Sequence, residues 1–376
     1  MRRGSIAAIF FGLCLLVSLR GGVEVEHQTF IVSMGVDSAP GGVTVTLVLP
    51  SANAGNQSEE KGGGAYEIVS ASGAAFDDAL LVLRATIPRE LNFSQLLQIV
   101  VAEPLARGET FGVLLDAILS TPRLNQSATL AVSRSAAETF LRQQLPFLGV
   151  RLSAGIETSL TTYGELGNIP SAMLGPARRE MAGGWRTPLL PLVSVNAGQD
   201  DASVPSGEPL AALAGQLPHR GGIATEYLGA AVVADGRMRG ALTGAQMQLV
   251  SFLMGEMKEI PFSVGGEYCR LRQRGKPAVS VSLRDGVCSI RLCASADAFP
   301  QGGAPVNAQA VQEKLTASVR DVLALLCAMG ADPVGFEGFA VRGVASLSSW
   351  DGSAWAAAYR RAQPEAEIAV VAADTL

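Results

Sequence analysis

Side chains that commonly carry out catalysis are scarce in this chain. Its 376 residues include two histidines, His27 and His219, and the sequence contains no nucleophile elbow, no phosphate-binding glycine loop and no paired-histidine metal motif. Ser58 and Lys61 have the spacing of a serine acyltransferase pair, but the stretch around them is polar and rich in glycine, which is typical of a surface loop. This pattern favours a protein that binds or assembles over an enzyme, and we expect both histidines to be exposed and chemically inert.

The cysteines and the paired aspartates also lack a pattern that indicates chemistry. Cys14 lies in an apolar leader, and the other four cysteines have no zinc-ribbon spacing. These four are Cys269, Cys288, Cys293 and Cys327. We interpret them as small buried side chains, while a disulfide within 269–293 and a metal site stay open as alternatives. Asp77 and Asp78 begin a predicted helix, where the helix dipole favours carboxylates, so we do not interpret them as a metal pair.

Composition and charge narrow the class of protein. Hydrophobic residues make up 48% of the chain and charged residues 17%, which indicates a folded protein rather than a disordered one. The formal net charge is −5, and no basic stripe is present of the kind that neutralises phosphates. We therefore expect no nucleic-acid partner. The length allows two or three domains with sizeable cores.

The first 22 residues have the features of an export signal or a membrane anchor. A positively charged start precedes an apolar run at 6–19, which is shorter than the roughly 20 residues of a spanning helix and fits a secretory signal. Cys14 is the candidate for lipid attachment, although Leu13 occupies the position where lipoprotein signals carry a small residue. A lipidated Cys14, an uncleaved anchor and cleavage near Gly22 stay open as alternatives.

The rest of the chain predicts an α+β fold, with two or three mixed-sheet domains and packed helices after the signal or anchor segment at 1–22. Predicted strands and helices alternate irregularly, with many hairpins. A stretch rich in Gly, Pro, Ser and Asp at 199–224 is interpreted as a linker. It would separate an N-terminal α+β domain at 23–198 from a C-terminal α+β domain at 225–376. An Asp-Gly pair at 235–236 predicts a hairpin at the start of the second domain.

Short stretches of sequence predict where two helices begin or end and which strand is buried. Asn307 is the predicted cap and Gly330 the predicted end of the longest helix, 308–329, whose apolar residues recur along one face. Ser135 is the predicted cap of a shorter helix that follows it. The run LLQIVVAE at 96–103 is almost continuously apolar, which indicates a strand buried on both faces of a sheet.

One segment carries a more specific signal. Arg89 is followed by Asn92-Phe93-Ser94-Gln95 and then by an apolar strand that ends at Ala102-Glu103. Further motifs occur in order along the chain: Met34–Asp37, Ser72–Ala79, Leu228–Gly240 and Asp332–Glu337. The ordered set resembles the Ger(x)C family, the C-subunits of nutrient germinant receptors in spore formers. The resemblance covers nearly the whole chain after the leader, but the lipobox and Cys-Trp-Asp of that family have no counterpart at 18–20.

The resemblance implies a non-enzymatic accessory subunit of a membrane germinant receptor, needed for receptor assembly and nutrient-triggered germination. It would lie on the extracytoplasmic face of the spore inner membrane, anchored through its N-terminus, beside a multi-span A-type subunit and a transporter-like B-type subunit. It implies no cofactor. The alternative is an exported solute-binding or cell-wall-associated protein, which requires a deep pocket between the domains with convergent polar groups.

Arg89, Asn92 and Gln95 are the candidate interaction residues. Polar side chains at the entrance of a buried strand can satisfy loop carbonyls that would otherwise be unpaired, so a structural corner is one interpretation. A docking surface for a partner subunit is the other.

Overall fold

Two large sheets and ten helices make up the described part of the molecule. The structure is a computed structural model and describes residues 27–50, 66–144, 152–196, 210–219, 221–301, 305–344, 346, 348 and 350–373. The strands of the first half are β1 Gln28–Phe30, β2 Ser33–Ala39, β3 Gly42–Pro50, β4 Tyr66–Gly73, β5 Glu90–Asn92, β6 Gln98–Ala102, β7 Thr129–Ser133, β8 Leu189–Val195, β9 Thr225–Ala234 and β10 Arg237–Leu242. Its helices are α1 Phe76–Thr86, α2 Glu103–Arg107, α3 Phe111–Leu119, α4 Ala137–Gln143, α5 Leu152–Glu165 and α6 Leu174–Met181.

Eight of these strands form one mixed sheet in the order β10-β9-β8-β7-β6-β2-β3-β4. The four central strands, β2, β6, β7 and β8, are parallel, and an antiparallel hairpin flanks them on each side. Parallel neighbours need crossover connections, which the helices between β6, β7 and β8 supply. A separate two-stranded sheet joins β1 to β5.

The prediction of a strand buried on both faces is confirmed at β6. Ile99 and Val101 lie in a core with residues of α1, α3 and α6, while Val100 lies on the opposite face with residues of α4 and α5. Successive side chains of a strand point to opposite faces, so a strand without a polar face needs helices on both sides. The helices of the first half provide that cover.

The hairpin at 225–242 belongs to the eight-stranded sheet. β9 pairs antiparallel with β8 through Leu189–Val195, and all ten residues of β9 are buried. Asp235 and Gly236 both have positive φ, 50° and 73°, as the predicted tight turn requires. The domain boundary at 225 stays a prediction. In the structure, the hydrogen bonds between β8 and β9 join this hairpin to strands that precede residue 199. Part of the interpreted linker is also packed, because Ala214 is fully buried and its amide donates to the Leu228 carbonyl at 3.1 Å.

The second half packs a smaller sheet against one long helix. Its elements are α7 Gly244–Met254, β11 Glu259–Val264, β12 Glu267–Gln273, β13 Ala278–Arg284, β14 Val287–Pro300, α8 Ala308–Met329, α9 Phe336–Val341, α10 Gly352–Tyr359 and β15 Glu365–Ala372. The sheet order is β11-β12-β14-β13, and β15 adds to β14 in parallel. The core under this sheet also contains Ala230, Val232 and Ala234 of β9, so the two halves share one apolar interior.

The longest helix, α8, has the ends that the sequence predicts. The Asn307 side chain accepts a hydrogen bond from the Ala310 amide at 3.1 Å, and Gly330 ends the helix with φ of 70°. Leu315, Val319 and Leu326 of the predicted apolar face are fully or almost fully buried. A side-chain cap at the start and a left-handed glycine at the end are both local signals, so the sequence alone determines this element.

The four described cysteines are free thiols. The interpretation as small buried side chains is confirmed for three of them, Cys269, Cys288 and Cys327, whereas Cys293 is partly exposed. Burial raises the pKa of the Cys288 thiol to about 11, with Asp332 adding to the effect, and raises the pKa of the Cys327 thiol to about 12. Both groups therefore stay protonated at neutral pH.

The cap of α4 differs from the prediction that Ser135 supplies it. Asp37, at the end of β2, accepts hydrogen bonds from the Ala137 amide at 2.7 Å and the Glu138 amide at 2.8 Å. Ser135 Oγ instead lies 3.1 Å from Ser133 Oγ and accepts from the Val195 amide at 3.3 Å. A carboxylate at a helix N-terminus satisfies unpaired amides and interacts favourably with the dipole, so a residue 100 positions away replaces the local serine.

Replacing Asp37 with Ala should destabilise the fold by about 1–2 kcal/mol, because two amides of α4 lose a charged acceptor. The measurement is the free energy of unfolding from urea titration. The matched control is Asp321→Ala, an exposed aspartate on α8, for which we expect a change within about 0.5 kcal/mol. Equal effects of the two substitutions would show that the Asp37 cap adds no stability.

Candidate functional site

The corner that contains Arg89, Asn92 and Gln95 is built by the pairing of β1 with β5. Asn92 is buried, its Nδ2 donates to Gln28 Oε1, and its Oδ1 accepts from the Ser94 amide at 2.9 Å. The Ile31 amide donates to the Asn92 carbonyl at 2.9 Å. Asn92 therefore ties the first described strand to the turn that enters β6, although its side chain contacts no loop carbonyl among the described residues.

Arg89 and Gln95 have a different environment, since both side chains are exposed beside this corner. The role that the sequence suggests for Gln95 is performed by Asn125, whose Nδ2 donates to the Leu96 carbonyl at 2.8 Å. Asn125 follows α3 and lies 29 positions after Leu96, so no local signal identifies it. The structure thus brings Arg89 and Gln95 to the surface, where a partner could contact them.

A buried polar network missed by the sequence analysis lies inside the first half. Gln98, at the start of β6, donates to Ser33 Oγ at 3.1 Å and to Gln144 Oε1 at 2.7 Å. The Tyr227 hydroxyl of β9 donates to Gln98 Oε1 at 3.2 Å, and burial raises the pKa of Tyr227 well above its ordinary value. Every member is an uncharged group with a partner, so the network joins distant strands and carries no unpaired charge.

The two histidines have unequal surroundings. His27 is exposed, as predicted. His219 is also partly exposed, but its Nε2 lies 3.0 Å from a carboxylate oxygen of Glu226, which is almost completely buried. The Glu226 carboxylate also accepts hydrogen bonds from Asn196 Nδ2 and the Gly215 amide. His219 and Glu226 therefore fasten the connection at 210–219 to the sheet.

A seam between the two halves is built around Asp332. Its carboxylate accepts hydrogen bonds from the Gly335 amide and the Glu337 amide, both at 2.8 Å, and so holds the start of α9. Its backbone carbonyl accepts from the Thr187 amide at 3.0 Å, which connects the entrance of β8 to the second half. Gly335 has φ of 85°, and Arg186 packs directly against it. Part of the Asp332–Glu337 motif thus holds the halves together.

A cavity of about 140 Å³ lies at this seam. Its lining combines α6, the residues before β8, α7 and Pro333. Charged groups at its wall are Glu180, Arg186 and Glu256, beside methionine and proline side chains. The arrangement places polar groups of both halves around one space, which is where ligand sites between domains commonly occur.

The sequence left two further features undecided, a metal site and a membrane-spanning segment. No three His, Cys, Asp or Glu side chains of the described residues are grouped so that they could hold a metal ion. Asp78 Oδ2 accepts from the Ala75 amide at 3.1 Å, which is a capping contact at the start of α1. Within the described ranges, no helix combines the length and the apolar character that a membrane crossing requires. Cys14 and the rest of the leader lie outside the described residues.

Comparisons with known proteins show a similarity to spore germination proteins. Residues 21–195 match the family described as the spore germination protein N-terminal domain. The crystal structure of the GerBC protein has a similar fold, with 13% sequence identity, a TM-score of 0.51, and coverage of 90% of this chain and 96% of that chain. No curated protein matches the chain. The resemblance to the Ger(x)C family that the motifs indicate is confirmed by this match over residues 21–195.

Asp332 gives the seam a predicted pH dependence. Burial raises the pKa of its carboxyl above 3.8, and the three backbone amides of Gly335, Phe336 and Glu337 oppose that shift. The folded state therefore binds a proton more tightly than the unfolded state, and the stability from this group falls as pH rises from below 3.8 through the folded pKa.

The Asp332→Asn variant lacks this titration, so the stability of the wild type relative to the variant should decrease as pH rises through that window. Urea titrations of both proteins at several pH values measure the difference, in which the other carboxyl groups cancel. A difference that does not change with pH would contradict the raised pKa of Asp332.

Proposed function

We propose that this protein is a non-enzymatic accessory subunit of a membrane germinant receptor, which helps to assemble the receptor for nutrient-triggered germination. The observation that carries the proposal is the match of residues 21–195 to the spore germination N-terminal domain. The fold shared with the GerBC protein supports it. Among the described residues, Cys269, Cys288 and Cys327 are buried in the core and Asp78 caps a helix, which fits a binding role.

The proposed location is the extracytoplasmic face of the spore inner membrane, with the leader as the anchor. Strand β1 begins at Gln28, six residues after Gly22. Six extended residues span at most about 20 Å, so the β1–β5 corner would lie close to the lipid headgroups. Mass spectrometry of the mature N-terminus distinguishes a lipid on Cys14, an intact Met1 and a cut near Gly22.

The proposed partners are a multi-span A-type subunit and a transporter-like B-type subunit. A tethered protein meets membrane-embedded partners at a high effective concentration, so a modest surface is sufficient for association. Arg89 and Gln95 are the proposed docking side chains, since they are exposed on the corner nearest the leader, whereas Asn92 is buried and orients the turn between them.

Deleting the gene in the spore former that carries it should abolish germination with nutrients and leave non-nutrient triggers effective. The reason is that the signal from a nutrient requires the assembled receptor, while non-nutrient triggers bypass it. The measurement is the loss of optical density of purified spores with each trigger. A normal nutrient response in a strain without a paralogue would end the proposal.

The double substitution Arg89→Ala/Gln95→Ala should reduce co-purification of this chain with the A-type and B-type subunits and slow the nutrient response. Removing one exposed pair at an interface centre commonly weakens association about tenfold or more. The control is Arg361→Ala/Gln363→Ala, an exposed pair of the same residue types in the second half. Equal protein levels of both variants in spore membranes exclude misfolding. Co-purification unchanged from the wild type would show that the corner is structural only.

A further inference from the structure

Strand β13 forms an unpaired edge of the second sheet. In the described part of the chain its strand partner is β14, which follows it through a two-residue turn at Asp285 and Gly286, with φ of 50° and 75°. The residues that flank such a turn are hydrogen-bonded to each other, so alternate residues of β13 point their amide and carbonyl groups away from β14. These outward residues are Val279, Val281 and Leu283, and no backbone hydrogen bond among the described residues pairs their outward groups.

Two other edges of this sheet are blocked. In β11, Pro261 has no amide to donate, and Lys314 Nζ donates to the Ser263 carbonyl at 2.8 Å. In β15, the Val370 amide donates to Gln312 Oε1 at 3.1 Å. Prolines, charges and occupied backbone groups of this kind prevent an edge strand from pairing with another chain. β13 contains no proline, and its one charged residue is its last, so this edge is able to pair.

The three outward residues are also incompletely covered by the core. They lie opposite residues 288, 290 and 292 of β14, which are buried in one core with Phe336 and Ala340 of α9. The outward residues pack against the same core but are only partly buried, because β13 has a strand neighbour on one side alone. A second strand beside β13 would therefore satisfy backbone groups and cover apolar surface at the same time.

The sequence of β13 matches itself when two copies run antiparallel. With Val281 of the two copies opposite each other, the remaining pairs are 279 with 283, 280 with 282 and 278 with 284. Apolar residues then oppose apolar residues on one face, serines oppose serines on the other, and the arginine opposes an alanine. Cross-strand pairs of like character stabilise a sheet, and no like charges meet in this register. The match favours a second copy of this chain as the occupant, because a two-fold interface must be complementary to itself.

We propose that β13 pairs antiparallel with β13 of a second copy of this chain, so that the second sheet continues across a two-fold axis. Each outward residue exchanges two hydrogen bonds with its opposite residue in the second copy. A pair of seven-residue strands is a small interface, so the dimer is weak in solution. Copies tethered to one membrane meet at a high effective concentration, which favours the pair there.

The first test is cysteine cross-linking of the full chain in neutral detergent. In Ser280→Cys/Ser282→Cys the thiol at 280 lies opposite the thiol at 282 of the second copy, and diamide, which takes up the two electrons and two protons, should join the copies by disulfides. Neither Ser280→Cys nor Ser282→Cys alone places two thiols opposite each other, so both are matched controls. The cross-linked dimer on a non-reducing gel should be about tenfold more abundant in the double variant than in either control, after subtraction of the wild-type background.

Charge variants test the same register without a covalent bond. Ser280→Glu/Ser282→Glu puts glutamate opposite glutamate at two positions of the strand pair, whereas Ser280→Glu/Ser282→Lys puts glutamate opposite lysine. Both variants keep glutamate beside Arg291 of β14, so the pairing within the chain is equally favoured, which urea titration checks. The dissociation constant of the dimer from sedimentation equilibrium should be about tenfold higher for the variant with two glutamates.

A chain that stays monomeric at its highest soluble concentration would overturn the dimer and leave this edge to a strand of another protein. Equal cross-linking in the double and single cysteine variants, or equal dissociation constants of the two charge variants, would also overturn it, because association through the leader alone does not depend on position 282. These measurements need neither spores nor partner subunits. The dimer can therefore fail while the receptor role stands, and a failure of the receptor role leaves the dimer result unaffected.

Discussion

Burial of β6 on both faces is the constraint on which the first half of the molecule depends. A strand that carries Ile99, Val100 and Val101 without a break has no side that can face water, so helices must cover the sheet above and below. The strands on both sides of β6, namely β2 and β7, are parallel to it, because parallel neighbours are joined by crossover helices and those helices provide the cover. The eight-stranded sheet, with antiparallel hairpins only at its margins, is the result.

Backbone groups at helix starts and in one turn are satisfied by side chains, two of which lie far away along the chain. Asp37 caps a helix 100 positions later, Asn125 pairs with the carbonyl of Leu96, and Asp332 holds the start of α9. Two of these residues, Asp37 and Asp332, belong to motifs that carry the resemblance to the Ger(x)C family. Their role here is to close the structure, because an unpaired buried amide or carbonyl costs as much as a lost hydrogen bond.

The same arrangement explains how a chain with two sheets behaves as one unit. β9 contributes to the core beneath the second sheet, and the Thr187–Asp332 hydrogen bond connects the halves at the seam. Such packing suits the proposed role in assembly, since a surface held in place loses little conformational entropy when a partner binds. The seam also holds a cavity of about 140 Å³, whose lining comes from both halves.

The sequence by itself determined the features that depend on neighbouring residues. The caps of α8, the Asp-Gly turn at 235–236, the apolar β6 strand and the ordered motifs of the family were all predicted from short stretches, since their physical causes lie within a few residues. Tertiary structure decided the rest. Ser135 was the local choice of cap, but Asp37 presents a charged acceptor from another strand, and the buried partners of Gln98 and Glu226 come from segments far along the chain. The hairpin at 225–242 joined the first sheet because every residue of β9 requires cover, and the seam cavity exists only where two distant stretches meet. These long-range contacts depend on how distant segments pack in three dimensions, and residue spacing along the chain does not indicate that packing.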